Sequence, residues 1–378
     1  MNTPQYNEHI PDELLPIFTN AELEVIRRIA KRLVNLKEIT GTSAYQIYRM
    51  QEMGRAYEDI LDLLIEATGM SKDTLIDLMN DAGVKTLRSD DAVHRKAGKD
   101  PTPLAESPDL QNILVAGCEA TMGTLANMCY SAAFYGSAQI GLVLDTAWLQ
   151  VSSGVLTYDQ AIKAAITELS RSGIRAVRYI SETGRVTFNY IDTVVRRAVL
   201  SGVNKTAGAL QMARMAEMGT AFVETTAHAG ARPTHAVWQG RIFQLVGSDL
   251  YPNFYTATGY GTGAGLCGWN CRHGFYPYYP GLSQPANSPA YLRDLDNAIV
   301  LVGGIPMSLY DATQLARYNE RTIRAWKRRA AGLEAAGYDN SEALAKVGEW
   351  QARQRQLIAD TGLRRDYTRE RAGRQYAA

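Results

Sequence analysis

Residues 221–245 read AFVETTAHAGARPTHAVWQGRIFQL, and here a chain of helical period changes its texture. Short β-branched and aromatic runs, Phe222-Val223 and Ile242-Phe243 among them, are broken by Gly230, Pro233 and Gly240. Strands and turns read this way; a helix does not. Tyr251, Tyr255, Tyr260, Tyr276, Tyr278 and Tyr279 then crowd among glycines. The pattern predicts a small, loop-rich α+β module over 219–300.

Toward the amino terminus the helical period dominates. FTNAELEVIRRIAKRLVNLK (18–37) carries Leu23, Ile26, Ile29, Leu33 and Leu36 on one stripe, with Thr19 and Glu22 at capping-box spacing and Phe18 set to staple onto Leu23. Two further helices are predicted, AYEDILDLLIEATG ending at Gly69 and SKDTLIDLMNDAG running from Ser71 as N-cap to Gly83. Residues 84–108, rich in charge, Pro and Ser, read as a surface connection. A long apolar helix follows over 109–151. A second capping box, Thr157 to Gln160, opens a helix through Ile162, Ile166 and Leu169 that stops at Gly173.

Alternation of Val177 and Tyr179 with Val186, Phe188 and Tyr190 about the turn SETG predicts a β-hairpin. Residues 191–218 return to helical spacing, with Asp192 placed to cap the start and Gly219 the end. On the carboxyl side NAIVLVGG (297–304) leads to a closing pair of helices. The expected fold class is mainly α with a small α+β module. It comprises an elongated helical domain over 1–218 with a hairpin near 175–190, the Cys/His-containing module over 219–300, and a helical basic tail over 301–378.

Composition narrows the function classes. With 46% hydrophobic and 21% charged residues the 378-residue chain has an ordinary globular balance. MNTPQYNEHIPDELLP lacks the basic and apolar regions of a signal peptide, and four cysteines make no secreted disulfide framework, so a reducing cytosol is expected. Residues 120–144 carry no charge, yet Thr, Asn, Ser, Gln and small residues recur through them, which suits a buried helix rather than a membrane span. The net charge of +1 is uneven, since residues 306–378 hold 14 Lys/Arg against 9 Asp/Glu. Arg353, Arg355, Arg364, Arg365, Arg369, Arg371 and Arg374 could meet a phosphate backbone, or form one solvated helical face diluted by Asp360, Asp366 and Glu370.

The sharpest feature is chemical. Three of five histidines, His228, His235 and His273, fall within 46 residues, together with Cys267 and Cys271 of the stretch GLCGWNCRHG (265–274). Zinc asks for tetrahedral N/S ligands, and a loop-rich module with little core gains folding free energy by holding one. His228, His235, Cys267, Cys271 and His273 are therefore the candidate ligands. Two alternatives stand beside this reading: a tight turn enabled by Gly265, Gly268 and Gly274, or a Cys271 nucleophile with His235 or His273 as base. Cys118 and Cys129 read as small buried hydrophobes. No phosphate-binding loop, zinc-protease helix or hydrolase elbow motif is present.

HAGARPTHAVWQGRIF (228–243), GLCGWNCRHGFYPYYPG (265–281) and the preceding GRVTFNYIDTVVRRAVLSGVN resemble the second minor capsid protein family of tailed phages and prophages of Gram-positive bacteria. The module is also distantly similar to the head-morphogenesis domain of the phage Mu F group. Trp238 to Phe243 matches that group's glycine strand, and Asn270-Cys271-Arg272-His273 matches its closing turn with His273 for the last cysteine. His228 and His235 stand where its first cysteines would be. The resemblance implies a non-enzymatic structural protein of the virion head, assembled in the host cytoplasm. It implies partners in the portal protein and major capsid protein, with packaged DNA facing the basic tail, and roles in head assembly, packaging or ejection. The competing expectation is an enzyme, of hydrolase or toxin-like activity, centred on the Cys/His cluster with Glu224 or Asp249 orienting its base.

Overall fold

The computed structural model describes residues 3–39, 41–181, 183–247 and 250–373. Its helices are α1 (Pro4–His9), α2 (Leu15–Leu33), α3 (Thr42–Lys96), α4 (Pro108–Ser152), α5 (Tyr158–Ser172), α6 (Ile191–Met218), α7 (Pro233–Ala236), α8 (Phe254–Thr258), α9 (Pro289–Asp296), α10 (Leu309–Ala335) and α11 (Ser341–Thr361). Strands β1 (Arg175–Ile180) and β2 (Val186–Tyr190) pair antiparallel, as do β6 (Ile299–Val302) and β7 (Ile305–Ser308). The antiparallel sheet of β3 (Phe222–Thr225), β4 (Ile242–Gln244) and β5 (Phe275–Tyr278) has the order β4-β3-β5. The chain is mainly α with a small α+β module, and no helix among the described residues is long and apolar enough to cross a membrane.

Two local expectations are overturned. The two helices predicted on either side of residue 70, and most of the connection expected over 84–108, are one helix to Lys96. The buried positions Ile60, Leu64, Ala67, Ser71, Leu75, Met79 and Ala82 keep helical phase straight through the supposed boundary. Ser71, expected as an N-cap, instead donates its hydroxyl to the Thr68 carbonyl inside the helix, and Gly69 costs only about 1 kcal/mol against alanine. Likewise α2 begins one turn before the Thr19–Glu22 box, with Pro16 in its first turn. Thr19 donates back to the Pro16 carbonyl, and Glu22 turns inward to accept from the Ile174 amide. The box at Thr157 and Gln160 is present in both its bonds.

The chain divides into two compact units, each drawn from three separated segments. The first holds Met1–Pro11, Lys72–Gly123 and Arg196–Gln314, and so contains all of the 219–300 module. Its helical frame is close-packed through two reciprocal pairs: a Cβ on Gly117 would lie 2.1 Å from Thr206 Oγ1, and one on Gly202 would lie 2.1 Å from Thr121 Oγ1. Each threonine is held in place by donating to its own helix, Thr206 at Gly202 and Thr121 at Gly117. Gly83, expected to end a helix, instead lets α3 approach Leu114 and Leu210. The sheet sits over α6 on a core of Met215, Val223, Trp238, Phe243, Phe254 and Phe275. Val223 lies opposite Phe243 on one side and Pro277 on the other.

The second unit holds Asp12–Ser71, Thr124–Val195 and Leu315–Ala378. The α2 stripe of Leu23, Ile26, Ile29 and Leu33 and the α5 stripe of Ile162, Ile166 and Leu169 are all buried. Gly332 lets α10 close onto Ile166 and Ile26. The β1–β2 hairpin leaves the helices as the alternation predicts, and Cys129 is a buried residue whose Sγ lies 3.3 Å from Thr68 Oγ1.

Candidate metal centre

The module's turn 265–274 is fixed before any ligand is considered. A Cβ on Gly265 would meet the Gly259 carbonyl at 2.0 Å, and one on Gly268 the Gly263 carbonyl at 2.4 Å, so both positions need glycine. Cys267 and Asn270 sit in the left-handed region, with φ of 59° and 53°. That conformation persists where the surroundings over-determine it. Here the Asn270 amide donates to Ser201 Oγ, Asn204 donates to the Cys271 carbonyl, and Asn7 donates to the Arg272 carbonyl. Arg272 itself pairs with Glu8 at 2.8 Å.

Three of the five predicted ligands come together. His235, Cys271 and His273 are buried, and one ligand atom from each lies within 4.8 Å of the others. His235 Nε2 is 2.9 Å from the Ala264 carbonyl, which can only accept, so the proton is on Nε2 and Nδ1 keeps its lone pair. His273 Nε2 lies 3.2 Å from Gln239 Oε1. That oxygen is identified as the acceptor because Gln239 Nε2 donates to Asp296 at 2.8 Å, and because it also accepts from the His228 amide. His273 Nδ1 is therefore a lone pair too. The two Nδ1 atoms face one another at 3.4 Å, with Cys271 Sγ 3.7 and 3.8 Å from them.

These spacings have a specific meaning. Tetrahedral zinc with about 2.05 Å to nitrogen and about 2.3 Å to sulfur requires edges of roughly 3.3 Å between nitrogens and roughly 3.6 Å from nitrogen to sulfur. The observed triangle is one face of that tetrahedron to within about 0.2 Å. Without a cation, two lone pairs oppose each other and one thiol proton cannot serve both. Protonation does not relieve this: burial drives His273 well below the usual imidazole value, with His228 and His235 adding to the effect, and burial lowers His235 as well. Burial also raises the Cys271 thiol. A bound cation would reverse both tendencies, since it stabilises thiolate and neutral imidazole together.

His228 and Cys267 stand outside this triangle. The His228 ring stacks on that of His273 at 4.4 Å, donates from Nδ1 to the Ala229 carbonyl, and is pushed down to about 4, mainly by burial. Cys267 packs in the core and directs its thiol at the His273 carbonyl, 3.8 Å away. The triangle borders a polar cavity of about 290 Å³ lined in part by His228, Arg232, Asn270 and Tyr310, the side from which a fourth ligand would come.

The sequence did not reveal Gln239, Asp296 or the Ala264 carbonyl as the groups that orient the imidazoles. The only trace of Gln239 is its place in the Trp238–Phe243 run, after His235 by one helical turn. Glu224, expected as an orienting acid, instead accepts from the Ala286 amide, and Asp249 lies outside the described residues.

A family model for phage minor capsid protein 2 matches residues 3–359. The chain belongs to that family. A protein described as a structural protein of Lactococcus phage LL-H is 24% identical over 366 residues, covering 92% of this chain and 94% of the relative. A structural protein of Lactococcus phage mv4 is 32% identical over 124 residues, covering 32% of this chain and 91% of the relative. No solved structure matches the chain. This minor capsid protein is thus a structural component of a phage virion, working among other virion proteins.

The arginines suggested for nucleic-acid contact lie in the second unit and are unevenly available. Arg365 is clasped by both oxygens of Glu370, and Arg369 is held by Asp366 at 2.8 Å. Arg353 stacks over Trp350 at 4.5 Å, Arg355 is exposed on α11, and Arg371 is half-buried. Arg364 is also engaged. Arg374 lies outside the described residues.

Proposed function

We propose that this minor capsid protein is a non-enzymatic piece of the phage head, seated beside the portal, whose α+β module is locked by a zinc ion on His235, Cys271 and His273. The observation that carries the metal is the 3.4, 3.7 and 3.8 Å triangle, with both imidazoles held in the tautomer that a metal requires. Pre-set tautomers of this kind are what outer-shell partners supply at metal sites. In this role the ion braces the turn 265–274, and the module becomes a rigid docking piece for the portal and major capsid proteins during assembly, packaging or ejection. The basic arginines near the carboxy terminus, Arg353 and Arg355 among them, would then face packaged DNA.

The enzyme reading has one point in its favour, because Cys271, His273 and Gln239 form a thiol, a base and an orienting amide in series. Two features weigh against it. A nucleophilic cysteine needs a depressed pKa, whereas burial raises this thiol and lowers its neighbouring imidazole. A second imidazole, His235, is equally close to the sulfur, which suits an ion and serves no purpose for a single proton transfer.

The test joins composition and location. Elemental analysis of protein purified without chelator should return about one zinc per chain, and Cys271→Ser should abolish it. Mass spectrometry of purified virions should find the protein in heads that contain the portal. Near-zero zinc with an intact fold would end the metal reading, and absence from purified heads would end the placement.

A further inference from the structure

The second unit carries a cavity that neither the family assignment nor the Cys/His centre uses. It has a volume of about 620 Å³ and lies along α10, where Arg321, Arg324, Arg328 and Arg329 join Arg171 of α5, with Asp192 the one carboxylate in its lining. The size falls within the roughly 300–1,000 Å³ typical of small-ligand sites. Arg321, Arg324 and Arg328 follow one another at helical spacing, so α10 turns one guanidinium-bearing face to the cavity. Ala325, between them, leaves the space open.

The five arginines are not equivalent. The inner two are matched by buried acids, Arg324 by Asp192 at 2.5 Å and Arg328 by Glu22 at 3.4 Å, and Arg328 also donates to the Ser170 carbonyl. The outer three are not so matched. Among the described residues Arg171 and Arg329 meet only exposed carboxylates, Glu168 at 3.0 Å and Glu342 at 3.5 Å. Pairs of that kind are weak and readily exchanged. Arg321 makes no ion pair or hydrogen bond among the described residues, while desolvation and then the neighbouring Arg324 charge lower its proton affinity. The Nε atoms of Arg324 and Arg329 are buried donors with no partner among the described residues. Such donors mark a place where an acceptor is missing. The lining also has flat faces: Tyr190, Tyr318 and Trp326, with the Arg329 guanidinium lying 4.9 Å over the Trp326 ring.

We propose that this cavity binds a nucleotide, its phosphate held by Arg321 together with Arg171 and Arg329, whose present partners are exposed acids, and its base laid against the aromatic side of the lining. Arginine forks suit phosphate geometry, and a base gives an aromatic ring a sequence-tolerant stacking partner. The mostly apolar walls favour this reading over a bare inorganic anion, which would use only the guanidinium side.

The experiment uses the full chain, with calorimetric titration of AMP, inorganic phosphate, a 12-nucleotide single-stranded DNA and a poly-glutamate peptide of matched charge. The expected result is saturable AMP binding, with phosphate weaker by at least about tenfold because the stacked base is missing. Arg321→Gln and Arg329→Gln should each weaken AMP about tenfold or more, whereas Arg178→Gln, exposed on β1 and outside the lining, should leave it unchanged. Arg321 is exposed, so its substitution should not disturb the fold, and equal melting temperatures of the variants check this. If the 12-mer binds no tighter than AMP, the occupant is a free nucleotide. If it binds at least about tenfold tighter, with affinity that falls steeply with salt, the occupant is a strand. Absence of saturable binding by both AMP and the 12-mer overturns the proposal. So does indifference to Arg321→Gln and Arg329→Gln, or poly-glutamate or phosphate binding as well as AMP.

Discussion

Gln239 holds His273 in one tautomer: its Oε1 lies 3.2 Å from the imidazole Nε2, and Asp296 fixes the amide from behind at 2.8 Å. Gln239→Leu keeps the approximate volume but removes the acceptor, so the ring can move its proton to Nδ1, where the proposed zinc would bind. The expected outcome is a protein that still takes up zinc, with affinity reduced about 10–100-fold, the usual effect of losing an outer-shell partner. Competition against a chelating dye measures it, and unchanged affinity would show that Gln239 does not set the tautomer.

Glycines inside the helices divide into two kinds, and substitution separates them. At Gly117 an added methyl would meet Thr206 Oγ1 at 2.1 Å, on a threonine whose hydroxyl is tied to its own helix. At Gly123, in the same helix, nothing lies within 4 Å. Gly117→Ala should therefore destabilise the protein by about 1–3 kcal/mol, as overpacking does. Gly123→Ala should stabilise it by roughly 0.5–1 kcal/mol through the unfolded chain. Urea denaturation of the two variants distinguishes close helix approach from simple helix propensity.

The first unit also carries a pH dependence that can be assigned. Asp90 is buried, accepts one bond from Gln211 at 2.8 Å, and has its other oxygen without a partner among the described residues. Burial raises its pKa from 3.8 to about 7. A carboxyl raised in the folded state holds its proton where the unfolded chain has lost it. Its contribution is therefore largest below pH 3.8 and declines as pH rises to about 7. Asp90→Asn retains the acceptor for Gln211 and cannot ionise. The variant should match the parent near pH 4 and exceed it by up to about 4 kcal/mol at pH 8, since a tenfold change in proton affinity between the folded and unfolded chain is worth about 1.4 kcal/mol. Denaturation curves at the two pH values test the sign as well as the size.

Period and punctuation carried most of the architecture. The change of texture at residue 221, the Thr157 capping box, the β1–β2 hairpin and the closing helices α10 and α11 are all where residue pattern places them. The failures have a common cause. Gly69, Ser71 and Gly83 look like local stop and start signals, but an unbroken apolar stripe outweighs about 1 kcal/mol of propensity, and Gly83 serves contact with Leu114. The candidate site was legible as a composition, three histidines and two cysteines close in sequence. Which three share a point was not, because that depends on Asn204, Ser201 and Gln239, whose roles arise only when α6 and the turn 265–274 meet. The arginine cavity is not legible in the sequence for a similar reason: Arg171 and Arg321 are 150 positions apart.

Arg214 gives the sharpest test of how the first unit is held. Its side chain is wholly buried, yet it lies 2.9 Å from Asp91 and 2.6 Å from Glu217, and donates to the Thr102 carbonyl at 2.5 Å. Burial raises Asp91 while the guanidinium pulls it back down, so the acid is tolerated because the arginine is there. Removing one member of a buried pair typically costs about 3–5 kcal/mol, whereas replacing the whole set by apolar groups can be neutral. Arg214→Met should fall in that destabilising range, and pairing it with Asp91→Leu should recover part of the loss even though a second native residue has been removed. A double-mutant cycle on the urea midpoints measures the coupling. Strictly additive losses would mean that Arg214 acts by packing its carbon stem and not by compensating the acids around it.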